Sequence, residues 1–268
     1  MTHDTAARAP LKVALIGLGA IGTALCEVLA EPPRKVALLG ALVTQHPGAA
    51  TTSALPMWTS LDALLDARPE VVAECAGHHA VAAHGERILV AGCDLLLASV
   101  GALADEALHR RLLRAAERGG ARLLLTSGAI GGLDILAAAQ RCGLHRVQLR
   151  SSKPPAAWRG TIAEARVDLD ALKAPVVLFS GSAREAATLY PKNANVAATI
   201  ALATLGWDHT VVELVANPGL QANVHQVDAD GVGGRISIRI EGSASSNSRT
   251  SMLTAYSLAN ALLDKAPR

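Results

Sequence analysis

The stretch Lys12-Val13-Ala14-Leu15-Ile16-Gly17-Leu18-Gly19-Ala20-Ile21-Gly22 decides the fold. Lys12 to Ile16 is a short apolar run that reads as a buried strand. G-L-G-A-I-G follows it directly, and the helical pattern T-A-L-C-E-V-L-A comes next. In such a turn Gly17 makes the tight bend, Gly19 lets the backbone approach a pyrophosphate, and Gly22 lets helix and strand pack closely. The helix beginning at Ala20 and Ile21 would turn its free N–H groups and the positive end of its dipole toward phosphate. Gly17, Gly19, Ala20, Ile21 and Gly22 are therefore the candidate cofactor-binding residues.

Working outward, Pro32 and Pro33 stop the first helix and a second strand is expected over 36–43. Short apolar runs at 71–75, 95–98 and 122–125 alternate with helical segments at 61–67, 80–90 and 105–118. That alternation predicts an α/β fold, a Rossmann-type parallel sheet. The pattern changes after Thr126. S-G-A-I-G-G-L-D opens a helix running to about Cys142, and strands with polar alternation follow at 146–151, 210–216, 223–228 and 235–241, with a helix at 193–205. This is the signature of a sheet with one solvated or ligand-facing side. The expected division is a dinucleotide-binding domain over 1–126 and an α+β substrate and dimerisation domain over 127–268. The closing helix, about 250–264, is free to pack back on the first domain.

Composition narrows the function. Half of the 268 residues are apolar, 18% are charged and only 2% aromatic, so the core is built from Leu, Val, Ile and Ala. A net charge of +2 with no basic stripe argues against nucleic acid as a partner. Residues 1–12 lack the apolar region of a secretory signal, and no run approaches the roughly 18 apolar residues of a membrane span, so a cytoplasmic protein is expected. Cys26, Cys75, Cys93 and Cys142 form no C-x-x-C pair and read as reduced thiols.

An NAD-specific site usually carries an acid on its ribose about 20 residues past the glycines. Here the second strand ends in Val43-Thr44-Gln45-His46, without an acid and without an evident arginine for a 2′-phosphate, so NAD or NADP would serve. His78, His79 and His84 follow a strand near the expected cofactor, but their spacing matches no recognised ligand pattern and no metal is expected. His225 lies at a strand entrance in N-P-G-L-Q-A-N-V-H-Q-V, two residues after Asn223. From the residues alone it reads either as a buried histidine hydrogen-bonded to a neighbour or as a proton carrier, its ordinary pKa of about 6.5 suiting neutral pH.

Five blocks in the second half resemble the L-aspartate dehydrogenase family: T-S-G-A-I-G-G-L-D (126–134), S-K-P-P-A-A-W (152–158), Y-P-K-N-A-N-V-A-A-T (190–199), N-P-G-L-Q-A-N-V-H (217–225) and R-T-S-M-L-T-A-Y-S (249–257). With the glycine loop and E-C-A-G-H (74–78), the resemblance runs through essentially the whole chain. It implies a homodimer that oxidises L-aspartate to oxaloacetate and ammonia with NAD or NADP, and that in many organisms supplies iminoaspartate to NAD biosynthesis. By the same resemblance His225 is the active-site histidine, and Ala129 and Asn195 contact the cofactor. Ser152 stands where a basic residue is expected, and the block 247–250 is looser than the family pattern.

A substrate with two carboxylates needs cationic or hydrogen-bonding partners, for which Lys153, Lys192, Arg159, Arg235 and Arg249 are candidates. Lys153, between a strand and a proline turn in a family-like block, is preferred, with Asn223 beside it as a second substrate-binding residue. Two other readings share the two-domain plan. One is a reductase of the dihydrodipicolinate reductase type, whose basic-histidine cluster is not visible here. The other is a non-catalytic NAD(P)-sensing protein.

Overall fold

The computed structural model describes residues 9–32, 35–44, 55–243 and 251–267. The expectations placed on Gln45 and His46, on Arg249 and on the block 247–250 lie outside these residues. The chain divides into two compact units: Met1–Leu97 with Arg111–Leu124 and Ala255–Arg268, and Ala98–Arg110 with Leu125–Thr254.

The first unit holds strands β1 (Leu11–Ile16), β2 (Val36–Leu42), β3 (Met57–Trp58), β4 (Val71–Glu74) and β5 (Asp94–Leu97), with β6 (Leu123–Leu125) at its boundary. They form one sheet in the order β3-β2-β1-β4-β5-β6, with β1 parallel to β2 and β4, β2 to β3, and β4 to β5. This is the doubly wound Rossmann order, whose ligand crevice lies at the carboxyl ends of β1 and β4, where the strand order reverses. The intervening helices are α1 (Ala20–Ala30), α2 (Leu61–Asp66), α3 (His78–Val90) and α4 (Glu106–Gly119), the last of which begins in the second unit. Central strands read as continuous apolar runs because both faces are covered: Val13, Ala14, Leu15, Val71, Val72 and Ala73 are all inaccessible to solvent.

The helix α8 (Leu253–Lys265) closes the chain and, from Ala255 onward, belongs to the first unit. Lys265 donates to Asp94 at 2.8 Å, and Arg122 joins the same carboxylate at 3.0 Å. Burial alone would raise the Asp94 pKa, but these bonds outweigh it and hold the carboxyl below its usual value.

The second unit contains β7 (Leu144–Lys153), β8 (Val176–Ser182), β9 (Thr210–Ala216), β10 (Val224–Gly231) and β11 (Gly234–Glu241) in a five-stranded sheet ordered β11-β10-β7-β9-β8. All neighbours are antiparallel except β7 and β9. Helices α5 (Leu133–Gly143), α6 (Ala183–Leu189) and α7 (Asn195–Ala203) pack against it. The sheet has two chemically distinct faces. Val147, Leu149, Val212, Leu214 and Val227 share the buried one. The other carries Arg150, Glu213, Gln226, Asp228, Arg239 and Glu241, cross-linked by exposed ion pairs and hydrogen bonds. The expected one-sided sheet is thus present.

Strand β8 and helix α6 go unrecognised in the sequence. A capping box, with Ser182 Oγ accepting from Glu185 N and Glu185 accepting from Ser182 N, opens α6 and is legible as S-x-x-E.

Candidate active site

The glycine loop of the first unit is shaped by what its residues lack. Gly17 has φ +89°, a conformation that L side chains rarely adopt, and an added Cβ would lie 2.9 Å from the Ala76 Cβ. Gly22 is tighter still, since a Cβ there would fall 2.2 Å from the Gly17 carbonyl oxygen. A Cβ on Gly19 would meet nothing within 4 Å, so its space is open. Gly19 is also the N-cap of α1. The N-cap supplies no side-chain hydrogen bond and no acid lies in the first turn, so neither neutralises the dipole of Ala20 and Ile21. These features fit a pyrophosphate.

The loop after β4 completes this side. Glu74 is fully buried, and its Oε1 accepts from Ala76 N at 2.7 Å and Gly77 N at 2.6 Å. The bond holds Ala76 where it packs on Gly17. Glu74, in the family-like E-C-A-G-H block, was not singled out from sequence. His78 and His79 open α3 immediately beyond it. Among the described residues no group of three or more His, Cys, Asp or Glu side chains is placed to hold a metal ion.

In the second unit, β7 and β10 bring four polar residues to one face. The register sets His225 opposite Ser151. Strand alternation then turns Lys153 to the same side as Ser151, and Asn223 to the same side as His225. Ser151 Oγ lies 3.0 Å from His225 Nδ1, and the two residues are 1% and 4% exposed. Burial first, and the Lys153 charge second, lower the His225 pKa to about 3, so the ring is neutral at physiological pH.

Lys153 is 4% exposed and donates to Asn193 Oδ1 at 2.7 Å, while its Nζ lies 5.6 Å from the centre of the Trp158 ring. Among the described residues it has no carboxylate partner, and burial lowers its pKa to about 8. Trp158 is held edge-on against Tyr190, with ring centres 5.9 Å apart. Among the described residues its Nε1 is buried without a hydrogen-bond partner, as is Oδ1 of Asn223.

The remaining sequence candidates fall elsewhere. Ser152 pairs with Val224, so it points away from the Ser151–Lys153 face and does not compete for the same ligand. Arg159 is exposed and paired with Asp170, and Arg235 with Asp230. Asn195 opens α7, and its Oδ1 accepts from Gly101 N at 3.0 Å, bracing the short 3-10 turn Val100–Ala104. Ala129 is buried in the turn after β6, between Gly128 and Gly132, which both have positive φ. Sequence reading missed Ser151, Asn193 and Trp158. The alternation of β7 was the available signal for Ser151, because it places residues 151 and 153 on one side.

A doubly wound sheet with this glycine loop, joined to a unit with a buried histidine–lysine face, defines an NAD(P)-dependent oxidoreductase. Residues 17–126 match the family described as homoserine dehydrogenase, NAD binding domain, and residues 134–265 match aspartate dehydrogenase, C-terminal. The chain belongs to the aspartate dehydrogenase family. It is 46% identical over 256 residues to the L-aspartate dehydrogenase of Ruegeria pomeroyi, covering 94% of this chain and 91% of that protein. With the L-aspartate dehydrogenase of Ralstonia pickettii the identity is 43% over 264 residues, covering 96% and 98%. The crystal structure of aspartate dehydrogenase from Thermotoga maritima superposes with a TM-score of 0.76 at 30% identity, covering 96% of this chain and 97% of that one. Family membership sets aside the reading as a dihydrodipicolinate reductase.

Proposed function

We propose that this protein catalyses the oxidative deamination of L-aspartate: L-aspartate, NAD(P)+ and water give oxaloacetate, ammonium, NAD(P)H and a proton. The observation that carries the reading is Lys153, a buried ammonium without a counter-charge among the described residues, on the face that holds His225, in a chain of this family. An unpaired buried charge is costly unless a ligand completes it, and a substrate carboxylate is the matching partner. Trp158 Nε1 is a spare donor near that seat. Asn223 Oδ1 is a spare acceptor suited to the substrate's amino group.

A nicotinamide cofactor would supply the hydride acceptor for Cα, leaving an iminium at that carbon for water to attack. The glycine loop and the N-terminus of α1 would hold the pyrophosphate of either cofactor, and the family resemblance assigns cofactor contacts to Ala129 and Asn195. His225 takes a proton from the water that attacks the imine carbon and returns it to the departing nitrogen. A ring that is neutral at rest and hard to keep protonated gives that proton up readily.

Val43 and Thr44, the described residues after β2, carry no acid to repel a 2′-phosphate, in keeping with use of both cofactors. We assign the working form as a homodimer in the cytoplasm, on the family resemblance. Among the described residues no helix is long and apolar enough to cross a membrane. Light scattering should return twice the chain mass.

The deciding assay follows reduced nicotinamide by absorbance with L-aspartate and either cofactor, using L-glutamate and L-alanine as controls. Aspartate-dependent reduction is expected. Cofactor binding without turnover would instead support a sensor.

A further inference from the structure

We propose that Ser151 is a positioning residue that accepts the Nδ1 proton of His225 and so keeps Nε2 as the nitrogen that carries the reaction's proton. The inference rests on reading His225 as the proton carrier. It starts from register: residues 151 and 225 are directly opposed on antiparallel β7 and β10, which sets the hydroxyl 3.0 Å from Nδ1. Both side chains are buried, so bulk water does not compete for that nitrogen. A neutral imidazole has one N–H and one lone pair, so whichever Nδ1 presents to the hydroxyl, which can accept or donate, Nε2 presents the other. With Nδ1–H donated to Ser151 Oγ, Nε2 presents the lone pair that a base requires.

The chemistry of the partner matters as much as its place. A carboxylate here would orient the ring and also stabilise the imidazolium. A hydroxyl orients it without adding negative charge, and Lys153 on the same face further disfavours the cation. The protonated ring is therefore short-lived. As the water oxygen bonds to the iminium carbon, one water proton moves to Nε2. That proton then passes to the nitrogen as the C–N bond breaks, the second water proton leaves with the ammonia as ammonium, and the oxygen becomes the carbonyl. Nδ1 keeps its proton, donated to Ser151, throughout.

The test pairs ring ¹⁵N spectra with kinetics. In histidine-labelled protein, with the His225 signals assigned by their loss in His225→Asn, Nδ1 should be protonated and Nε2 should show a lone-pair shift at neutral pH. Ser151→Ala should mix the two tautomers and lower turnover by about tenfold to a hundredfold, part of the two to four decades that positioned acid–base catalysis supplies. The KM for aspartate and the melting temperature should stay close to wild type. Ser151→Thr, which keeps the hydroxyl, should restore both the spectrum and the rate. A wild-type ring protonated on Nε2, or a Ser151→Ala variant at full turnover, would overturn the inference. If His225→Ala itself turned over normally, the proton-carrier reading would fail instead. An inactive His225→Ala together with an Nε2–H ring would sink the Ser151 role alone. Should Ser151→Ala not fold, the wild-type spectrum decides.

Discussion

The glycine loop of the first unit and the polar sheet face of the second are built from opposite materials. On the proposed reading the loop works by having no side chains: Gly17 and Gly22 permit close packing, Gly19 leaves its space open, and backbone N–H groups and a helix dipole would meet the ligand. The sheet face works by burying side chains that would be easier to keep in water, namely Ser151, Lys153 and His225. One region therefore fails when atoms are added and the other when they are removed. Their costs also differ. The loop costs the fold little, whereas a buried ammonium that meets no counter-charge among the described residues opposes folding.

The largest expected effect tests the second region. His225→Ala should cut turnover by about 10²–10⁴ while cofactor affinity, read by fluorescence titration, stays near wild type. Collapse of cofactor affinity would break the division of labour between the regions. Next comes Lys153→Met, which should lower kcat/KM for aspartate by roughly 30-fold to several thousandfold, the ~2–5 kcal/mol lost when one partner of a buried charge pair is removed. The same variant should be more stable than wild type when free of ligand. Folding depresses this lysine from 10.5 to about 8, so the unfolded chain binds its proton more tightly. Below about pH 8 the penalty is complete, worth ~3 kcal/mol, and it fades as pH rises from about 8 toward 10.5. Denaturant melts at two pH values would show the gain shrinking. A Met variant less stable at neutral pH would mean that Lys153 has a structural partner.

In the first region, Gly22→Ala and Gly19→Ala should separate. The Cβ on Gly22 meets a carbonyl at 2.2 Å, so that variant should lose roughly 3 kcal/mol of stability as well as cofactor binding. The Cβ on Gly19 meets open space, so that variant should melt normally and lose only cofactor affinity, by about tenfold. Equal melting of the two would show that the loop tolerates adjustment. The smallest effect is electrostatic. Succinate, a dicarboxylate with no amine, should inhibit competitively with aspartate. Its inhibition constant should rise about tenfold per pH unit above about 8, as Lys153 loses its proton. A flat profile in wild type, or the same slope in Lys153→Met, would remove Lys153 from the carboxylate seat.

The contrast also explains what could be read in advance. A glycine loop is contiguous, so its spacing after a strand of buried apolar residues was enough to place it at a strand end and to predict a Rossmann-type parallel sheet. The second region is assembled from positions 151, 153, 193, 223 and 225, whose proximity depends on strand register. Register follows from turns and pairing over long separations, which a pass along the chain does not resolve. Lys153 and His225 were legible through family-like blocks. Ser151 was signalled only by the alternation of β7, which sets it on the side of Lys153, and Asn193 sat unmarked inside the family-like block 190–199. Strand β8 was missed because its run V-V-L-F-S-G-S does not alternate cleanly, as suits a strand at the sheet edge.

The return of α8 to the first unit has a consequence for synthesis. The Asp94 carboxylate waits for Lys265, which leaves the ribosome only after the entire five-stranded sheet has been made. The dinucleotide-binding unit, though first to begin, is last to be finished. The second unit is topologically a guest carried within its host. A fragment ending at residue 126 would lack the host's final helix and leave Asp94 without the lysine that meets it. Loss of the last dozen residues would strike the nucleotide side of the enzyme before the side that holds the histidine.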